Sequence, residues 1–220
     1  MNTHHHSPTD GVRLLLLGAT GAVGQQVLRQ ALADSRVVTV LAPTRRSLPG
    51  HPKLENPLTD FTTLPDDAFY WTADAVICAL GTTMKMAGSQ AAFAAIDRDL
   101  PMAIAARARA RGARTFVLNS SLGAARSGTF YLRIKAEVED GIRQLGFPSY
   151  TVVRPSLIDA QRTESRPGEV IGLAIARMLG PLVPRRYRPV KSDAIARTLL
   201  RSAVDPQPGE HIIESEAIGG

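Results

Sequence analysis

The sequence predicts an α/β fold in which one domain is built on a doubly wound parallel sheet. Three observations lead there. Short leucine-rich or β-branched runs alternate with segments whose apolar residues recur at helical spacing. Aromatic residues make up only 5% of a chain that is 44% hydrophobic, so Ala, Leu, Val and Ile carry the apolar content, a mix suited to helices packed on buried strands. The 220 residues supply one sizeable core and are short for two.

Val12–Leu17 is an apolar run that ends at a glycine, and Val23–Asp34 follows with Val27, Ala31 and Leu32 on one helical face. Val37–Ala42 is the second strand. Pro43 and the Pro/Gly-rich stretch 49–57 interrupt it, with a weaker strand expected within Lys53–Leu58. Ala75–Leu80 is a third clear strand, and the Ala-rich Gln90–Arg111 predicts a long helix stopped at Gly112. Thr115–Asn119 reads as a strand, Gly123–Gly128 as a loop, Phe130–Leu145 as a helix closed by Gly146, and Ser149–Arg154 as a strand. Beyond Pro155 the pattern is less regular, with helices expected at Val170–Leu179 and Ser192–Ala203 and a late strand near His211–Ile213. Residues 1–10, including His4-His5-His6, form a polar tail in which a metal site is not expected, and 11–220 form the domain with a small irregular C-terminal region. The alternation implies right-handed crossovers with helices on both faces, and ligands in such sheets bind at the carboxyl ends of the strands.

Composition narrows the function classes. Cys78 is the single cysteine and lies in an apolar run, so a buried thiol in a reducing compartment is expected. No run of about 18 apolar residues suggests a membrane span, and the first residues lack a basic segment followed by an apolar one; a cytoplasmic protein is expected. The formal net charge is +6, and 18 of the 26 Lys and Arg fall between residues 101 and 201. No helix-turn-helix, zinc-finger or aromatic RNA-reading pattern accompanies them. A small anionic ligand is therefore expected rather than nucleic acid, with part of the Arg107, Arg109, Arg111 charge on the solvated side of a helix.

The polar motifs each follow a strand. Gly18-Ala19-Thr20-Gly21-Ala22-Val23-Gly24 ends the first strand and opens the first helix, the setting in which glycines let the backbone approach a pyrophosphate and the helix N-terminus stabilises it. Its spacing has one residue more than G-x-G-x-x-G. An NAD site usually places an acid about 20 residues further on to bind the ribose 2′-hydroxyl. Here Thr44 is followed instead by Arg45-Arg46, two guanidiniums suited to a 2′-phosphate, so NADPH is expected over NADH. Tyr131 and Lys135, four residues apart at the start of a helix, share one face, where an ammonium favours the anionic form of a phenol and equips it for proton transfer. Ser120 and Ser121 directly follow a strand, and either hydroxyl is placed to polarise a carbonyl oxygen. Asp97, Met84 and Lys85 are weaker candidates near the expected pocket mouth, and Arg154-Pro155 is equally consistent with a plain strand end.

In this order, Gly18–Gly24, Thr44–Arg46, Leu80–Thr83, Asn119–Ser121, Phe130–Glu137, Arg154-Pro155 and Arg166-Pro167-Gly168-Glu169 resemble the short-chain dehydrogenase/reductase superfamily. The resemblance covers Val12 to about Ile213, and within the superfamily it is to the atypical, extended-related branch. It implies a Rossmann-like fold and an NADPH-dependent oxidoreductase acting on a small carbonyl substrate. Its catalytic serine, tyrosine and lysine fall on Ser121, Tyr131 and Lys135, with Ser120 as the alternative serine; the interval from Ser121 to Tyr131 is shorter than in many relatives. It further places Leu80, Gly81 and Thr82 on the nicotinamide side, Asp60 and Phe61 on the adenine side, Lys135 on the nicotinamide ribose, and Ile158 and Arg166 at the closure of the pocket. An NADPH-responsive binding protein without turnover is the alternative, against which the Tyr131/Lys135 pair speaks. Epimerase or dehydratase chemistry on a nucleotide sugar is disfavoured by the short region after Pro155. The pattern carries no signal for an oligomeric state.

Overall fold

Strands apolar on both faces need helices on both faces, and alternation along each strand sorts the side chains between them. The computed structural model describes residues 11–159 and 184–219. In chain order the elements are β1 (Val12–Leu17), α1 (Ala22–Ala33), β2 (Val37–Leu41), β3 (Leu54–Glu55), β4 (Ala75–Cys78), α2 (Met84–Ala87), α3 (Gln90–Ala94), α4 (Leu100–Ala110), β5 (Thr115–Asn119), α5 (Phe130–Arg143), β6 (Ser149–Arg154), β7 (Ile158–Asp159), β8 (Val190–Lys191), α6 (Ser192–Val204) and β9 (Gly209–Glu214). Among the described residues the main sheet has the order β3-β2-β1-β4-β5-β6-β9 with every pair parallel, while β7 and β8 form a separate parallel ribbon.

Leu15, Leu17, Val76, Cys78, Phe116, Leu118 and Val152 pack with Ile104, Ala105, Val138 and Ile142 of α4 and α5. Their neighbours Leu14, Leu16, Ile77, Val117 and Val153 pack with Val27, Ala31, Ile195 and Leu199 of α1 and α6. At about 1.5–3 kcal/mol for each large apolar side chain removed from water, these two layers are the main stabilising contribution. The chain winds outward in both directions from β1 and β4, so a cleft opens beyond their carboxyl ends, where the winding reverses.

The expected elements appear with informative differences. Strands β1, β5 and β6 match the sequence reading residue for residue. Strand β4 ends at Cys78, short of Leu80, and β3 has only two residues. The long helix expected over Gln90–Arg111 is α3 and α4 joined by a π-helical turn at Ala95–Asp99. Pro101 has no N–H to give the carbonyl four residues back, at Asp97, and a widened turn relieves that break in the ladder. Strand β9 is longer than expected because β6 offers it a full partner, from Ser149 opposite Gly209 to Arg154 opposite Glu214. The helix expected at Val170–Leu179 and the N-terminal tail lie outside the described residues. No helix among the described residues is long and apolar enough to cross a membrane.

One polar network crosses the apolar layer between the sheet and α5. Glu139, 2% exposed, accepts from Arg154 Nε at 3.1 Å and Nη2 at 2.5 Å, and from the Ser120 hydroxyl. Arg154 Nη1 continues to Glu214 Oε1 at 3.1 Å, and the Tyr150 hydroxyl donates to the Glu139 carbonyl at 3.1 Å. The network ties β5, α5, β6 and β9 together. Replacing Glu139 by alanine leaves a half-buried guanidinium without its main partner and should cost about 3–5 kcal/mol, read as a lowered urea midpoint. Arg29→Ala, which removes an exposed ion pair with Asp193 and exposed hydrogen bonds to Gln26, should stay within about 1 kcal/mol.

Candidate active site

The phosphate turn is shaped by two close approaches. Gly18 has φ +80°, and a Cβ there would lie 2.6 Å from Ala79 O and 2.9 Å from Leu80 N. A Cβ on Gly24 would overlap Gly18 O, so the first turn of α1 lies directly on the strand end. Helix α1 has Gly21 at its N-cap, with no side-chain cap and no acid in its first turn, so its first N–H groups lack intrahelical partners and remain available to an anion. Gln25 Nε2 pins the turn by donating to Thr20 O at 3.0 Å. Ala19 and Val23 are buried in the layer below, while Thr20 and Gly21 are exposed. These features fit a dinucleotide pyrophosphate.

The next strand carries the arginines. The buried Thr44 hydroxyl donates to Arg46 O at 2.6 Å and accepts from Asn56 Nδ2 at 2.7 Å, while Asn56 Oδ1 accepts from Leu48 N at 2.7 Å. This side-chain scaffold holds the Arg45-Arg46 loop, whose two side chains are exposed and make no ion pair among the described residues. Thr59 N donates to Thr44 O at 2.9 Å, which brings the Asp60-Phe61 segment beside the arginines. Asp60 is exposed and accepts from Thr62 N at 2.9 Å, a bond that holds its carboxyl below the ordinary range; Phe61 packs at the edge of the core.

Past β4 the chain turns inward. A Cβ on Gly81 would lie 3.6 Å from Asp97 Oδ1 and 4.0 Å from Lys135 Nζ, so the Leu80–Thr82 segment runs over the lysine. Lys135, 6% exposed, pairs with Asp97 at 2.8 Å. Its Nζ is 5.8 Å from the centre of the Tyr131 ring, and that ring lies 5.7 Å from Phe93. Tyr131 is 36% exposed, so the buried ammonium stands beside a tyrosine that solvent or a ligand can reach. Thr129 caps α5 by accepting from Leu132 N at 3.5 Å.

The two serines separate. Ser120 is buried and its hydroxyl is committed to Glu139, so the structure does not favour it as the alternative. Ser121 is only partly buried and makes one long contact, 3.4 Å to Leu122 O. Its loop folds onto α5 through Ala125 N to Leu132 O at 3.3 Å, next to Tyr131. Arg154 is taken up by Glu139 and Glu214 and belongs to the framework. Met84 and Lys85 lie on the short exposed helix α2, and Ile158 is exposed on β7. Arg166 lies outside the described residues. Burial pushes the Cys78 thiol up to about 11, as suits a core residue.

Asp97 departs most from expectation. It does not stand at a pocket mouth: it is 2% exposed, and its oxygens are occupied by Lys135 Nζ and by Thr82 N, each at 2.8 Å. The readable signal is its position on the stripe of Phe93, Ala94, Pro101, Ile104 and Ala108, all buried, where an acid needs a buried partner. Glu139 gives the same signal on α5 between Val138 and Ile142. A groove of about 600 Å³ between α6 and β9, lined by Arg197, Ser202, His211 and Ile212 among others, contains none of the candidate residues. No cluster of metal-ligating side chains occurs among the described residues.

Comparison with known proteins places the chain in a family. A family model described as NAD(P)H-binding matches residues 18–203. The chain is 33% identical over 220 residues to the mitochondrial protein fmp52 of Aspergillus niger, covering 92% of each chain. It is 32% identical over 212 residues to protein HTATIP2 of Rattus norvegicus, covering 93% of this chain and 87% of that one. Among solved structures it superimposes on WbmH of Bordetella bronchiseptica in complex with NAD+ with a TM-score of 0.68 at 15% identity, covering 93% of this chain and 75% of that one. A putative NAD-dependent epimerase/dehydratase from Bacillus halodurans gives a TM-score of 0.68 at 19% identity, covering 94% of this chain and 97% of that one; at such identities the likeness is one of fold. With the family match spanning most of its length and the HTATIP2 likeness nearly all of it, the chain belongs to the NAD(P)H-binding family and is a relative of HTATIP2.

Proposed function

We propose that the protein is an NADPH-dependent oxidoreductase acting on a carbonyl group of a small molecule. The observation that carries this is the buried Lys135 ammonium set beside the partly exposed Tyr131 ring, under the Leu80–Thr82 segment and at the same strand edge as the phosphate turn. A pure binding protein has use for the turn and the arginines but none for a proton donor with a charge placed beside it.

The α1 N-terminus at Gly18–Gly24 would hold a dinucleotide's pyrophosphate, Arg45 and Arg46 would bind a 2′-phosphate, and Leu80, Gly81 and Thr82 would line the nicotinamide side. When bound in reduced form, its nicotinamide supplies the hydride to the carbonyl carbon. Ser121 donates a hydrogen bond to the carbonyl oxygen as negative charge develops there. Tyr131 gives its phenolic proton to that oxygen, completing the alcohol, and the Lys135 charge stabilises the phenolate left behind. In the opposite direction the same groups remove the proton.

Four outcomes test the assignment. Tyr131→Phe should lower turnover by about 10²–10⁴, followed as NADPH absorbance with a panel of aldehydes and ketones, while thermal stabilisation by NADPH persists; unchanged turnover removes Tyr131 from the chemistry. NADPH at about 100 times its Kd should stabilise the protein by about 2.7 kcal/mol, with NADH weaker. Replacing Arg45 and Arg46 by alanine should cancel the difference, whereas equal stabilisation of the unaltered protein by both cofactors contradicts the preference. Gly24→Ala should abolish stabilisation by either dinucleotide, because its Cβ displaces the turn.

A further inference from the structure

The proposed chemistry uses Tyr131 and Lys135 and leaves unused the acid bonded to Lys135. Asp97 sits in the π turn at Ala95–Asp99, which puts a carboxylate on an otherwise apolar stripe that packs against α5 at this point. It holds two elements at once. Thr82 N, on the segment just after β4, donates to Oδ2, and Lys135 Nζ, on α5, donates to Oδ1. Gly81 passes beside this pair, its Cβ position 3.6 Å from Asp97 Oδ1 and 4.0 Å from Lys135 Nζ. The groups facing Lys135 are Asp97 from the π turn, Tyr131 from its own helix and the neutral Cys78 thiol from β4. Arg98, adjacent in sequence, is turned outward to Asp99 and Glu137.

An amine this deeply buried is under strong pressure to lose its proton. Burial is the largest influence on Lys135 and pulls its pKa down; the Asp97 carboxylate, then Tyr131, push it back, and the result lies above the usual 10.5. Asp97 is the one acid paired with Lys135 among the described residues.

We infer that Asp97 is the positioning residue of this site: it keeps the buried Lys135 an ammonium and anchors it between the Thr82 segment and Tyr131. Its importance for turnover rests on the oxidoreductase assignment; its hold on the lysine does not. An ammonium fixed in this way acts by its charge and keeps its proton throughout the neutral range.

The test uses the protein without added cofactor. The chain has four lysines, so labelling them at Cε gives a small NMR spectrum in which Lys135→Met identifies the Lys135 signal. In the unaltered protein that signal should not titrate below about pH 10.4. In Asp97→Asn, close in shape but uncharged, the midpoint should fall by about 3 units, and Asp97→Glu should restore much of it. The sign for stability follows: between the lowered midpoint and about pH 10.4 the unfolded chain binds a proton that the folded Asn variant does not, so that variant gains stability as pH rises. The unaltered protein has no such slope from Lys135, because its folded pKa lies above the unfolded one and the contribution is lost only at higher pH. Turnover of Asp97→Asn should fall above its new midpoint and recover below it, a pH dependence that a packing defect alone does not produce. An unshifted Lys135 midpoint in Asp97→Asn overturns the inference. So does a midpoint below about pH 9 in the unaltered protein, which requires no variant to fold. If the titrations behave as stated but no carbonyl is reduced, the oxidoreductase assignment fails and the role of Asp97 toward Lys135 stands.

Discussion

Helix α5 buries two opposite charges one turn apart, Lys135 and Glu139, and the arrangement of the site follows from how each is satisfied. At this spacing the two side chains lie on the same face and are natural partners for one another. They pair elsewhere instead: Lys135 with Asp97 on the helix beside it, Glu139 with Ser120 and Arg154 on the sheet below. Each pair draws α5 onto a different neighbour, so the register of the helix against the sheet is set by hydrogen bonds of defined direction as well as by apolar packing, which is tolerant of small shifts. Tyr131, one turn before Lys135, is placed by that register.

The remaining parts of the site come to this helix because strand ends converge. The phosphate turn lies on the backbone of Ala79 and Leu80, the Leu80–Thr82 segment passes over Lys135, and the Ser121 loop folds onto the first turn of α5. Close backbone approach at Gly18 and Gly24 brings β1, β4 and α1 within reach of one extended ligand. The Arg45 loop stands further along the same edge, held by Thr44 and Asn56 without using either guanidinium.

The charge pattern gains meaning in three dimensions. The basic stretch from 101 to 201 suggests a broad positive field, yet Arg107, Arg126, Arg143, Arg154 and Arg197 each meet an acid. Arg45 and Arg46, outside that stretch, have no acidic partner among the described residues. Local pairing thus takes up part of the charge of the later half, while Arg45 and Arg46 stand unpaired among the described residues at the end of the second strand, the edge that carries the phosphate turn.

The order of strands and helices, the glycine turn, the arginine pair and the Tyr131/Lys135 spacing are all legible in the sequence, because each depends on contacts within a few residues or on a periodicity of 2 or 3.6. What tertiary structure decided is which polar groups remain available. Ser120 and Ser121 are adjacent and chemically alike, yet strand alternation turns the first toward α5, where Glu139 binds it, and leaves the second in the loop. Asp97 reads as a weak candidate near the pocket mouth until Pro101 and the π turn place it against Lys135, 38 residues later in the chain. A buried charge is satisfied by whatever partner the packed layers bring to it, and that partner is distant in sequence. The candidate residues were therefore readable one by one, whereas which of them are exposed and which are bound to buried partners was decided only when the helices were laid on the sheet.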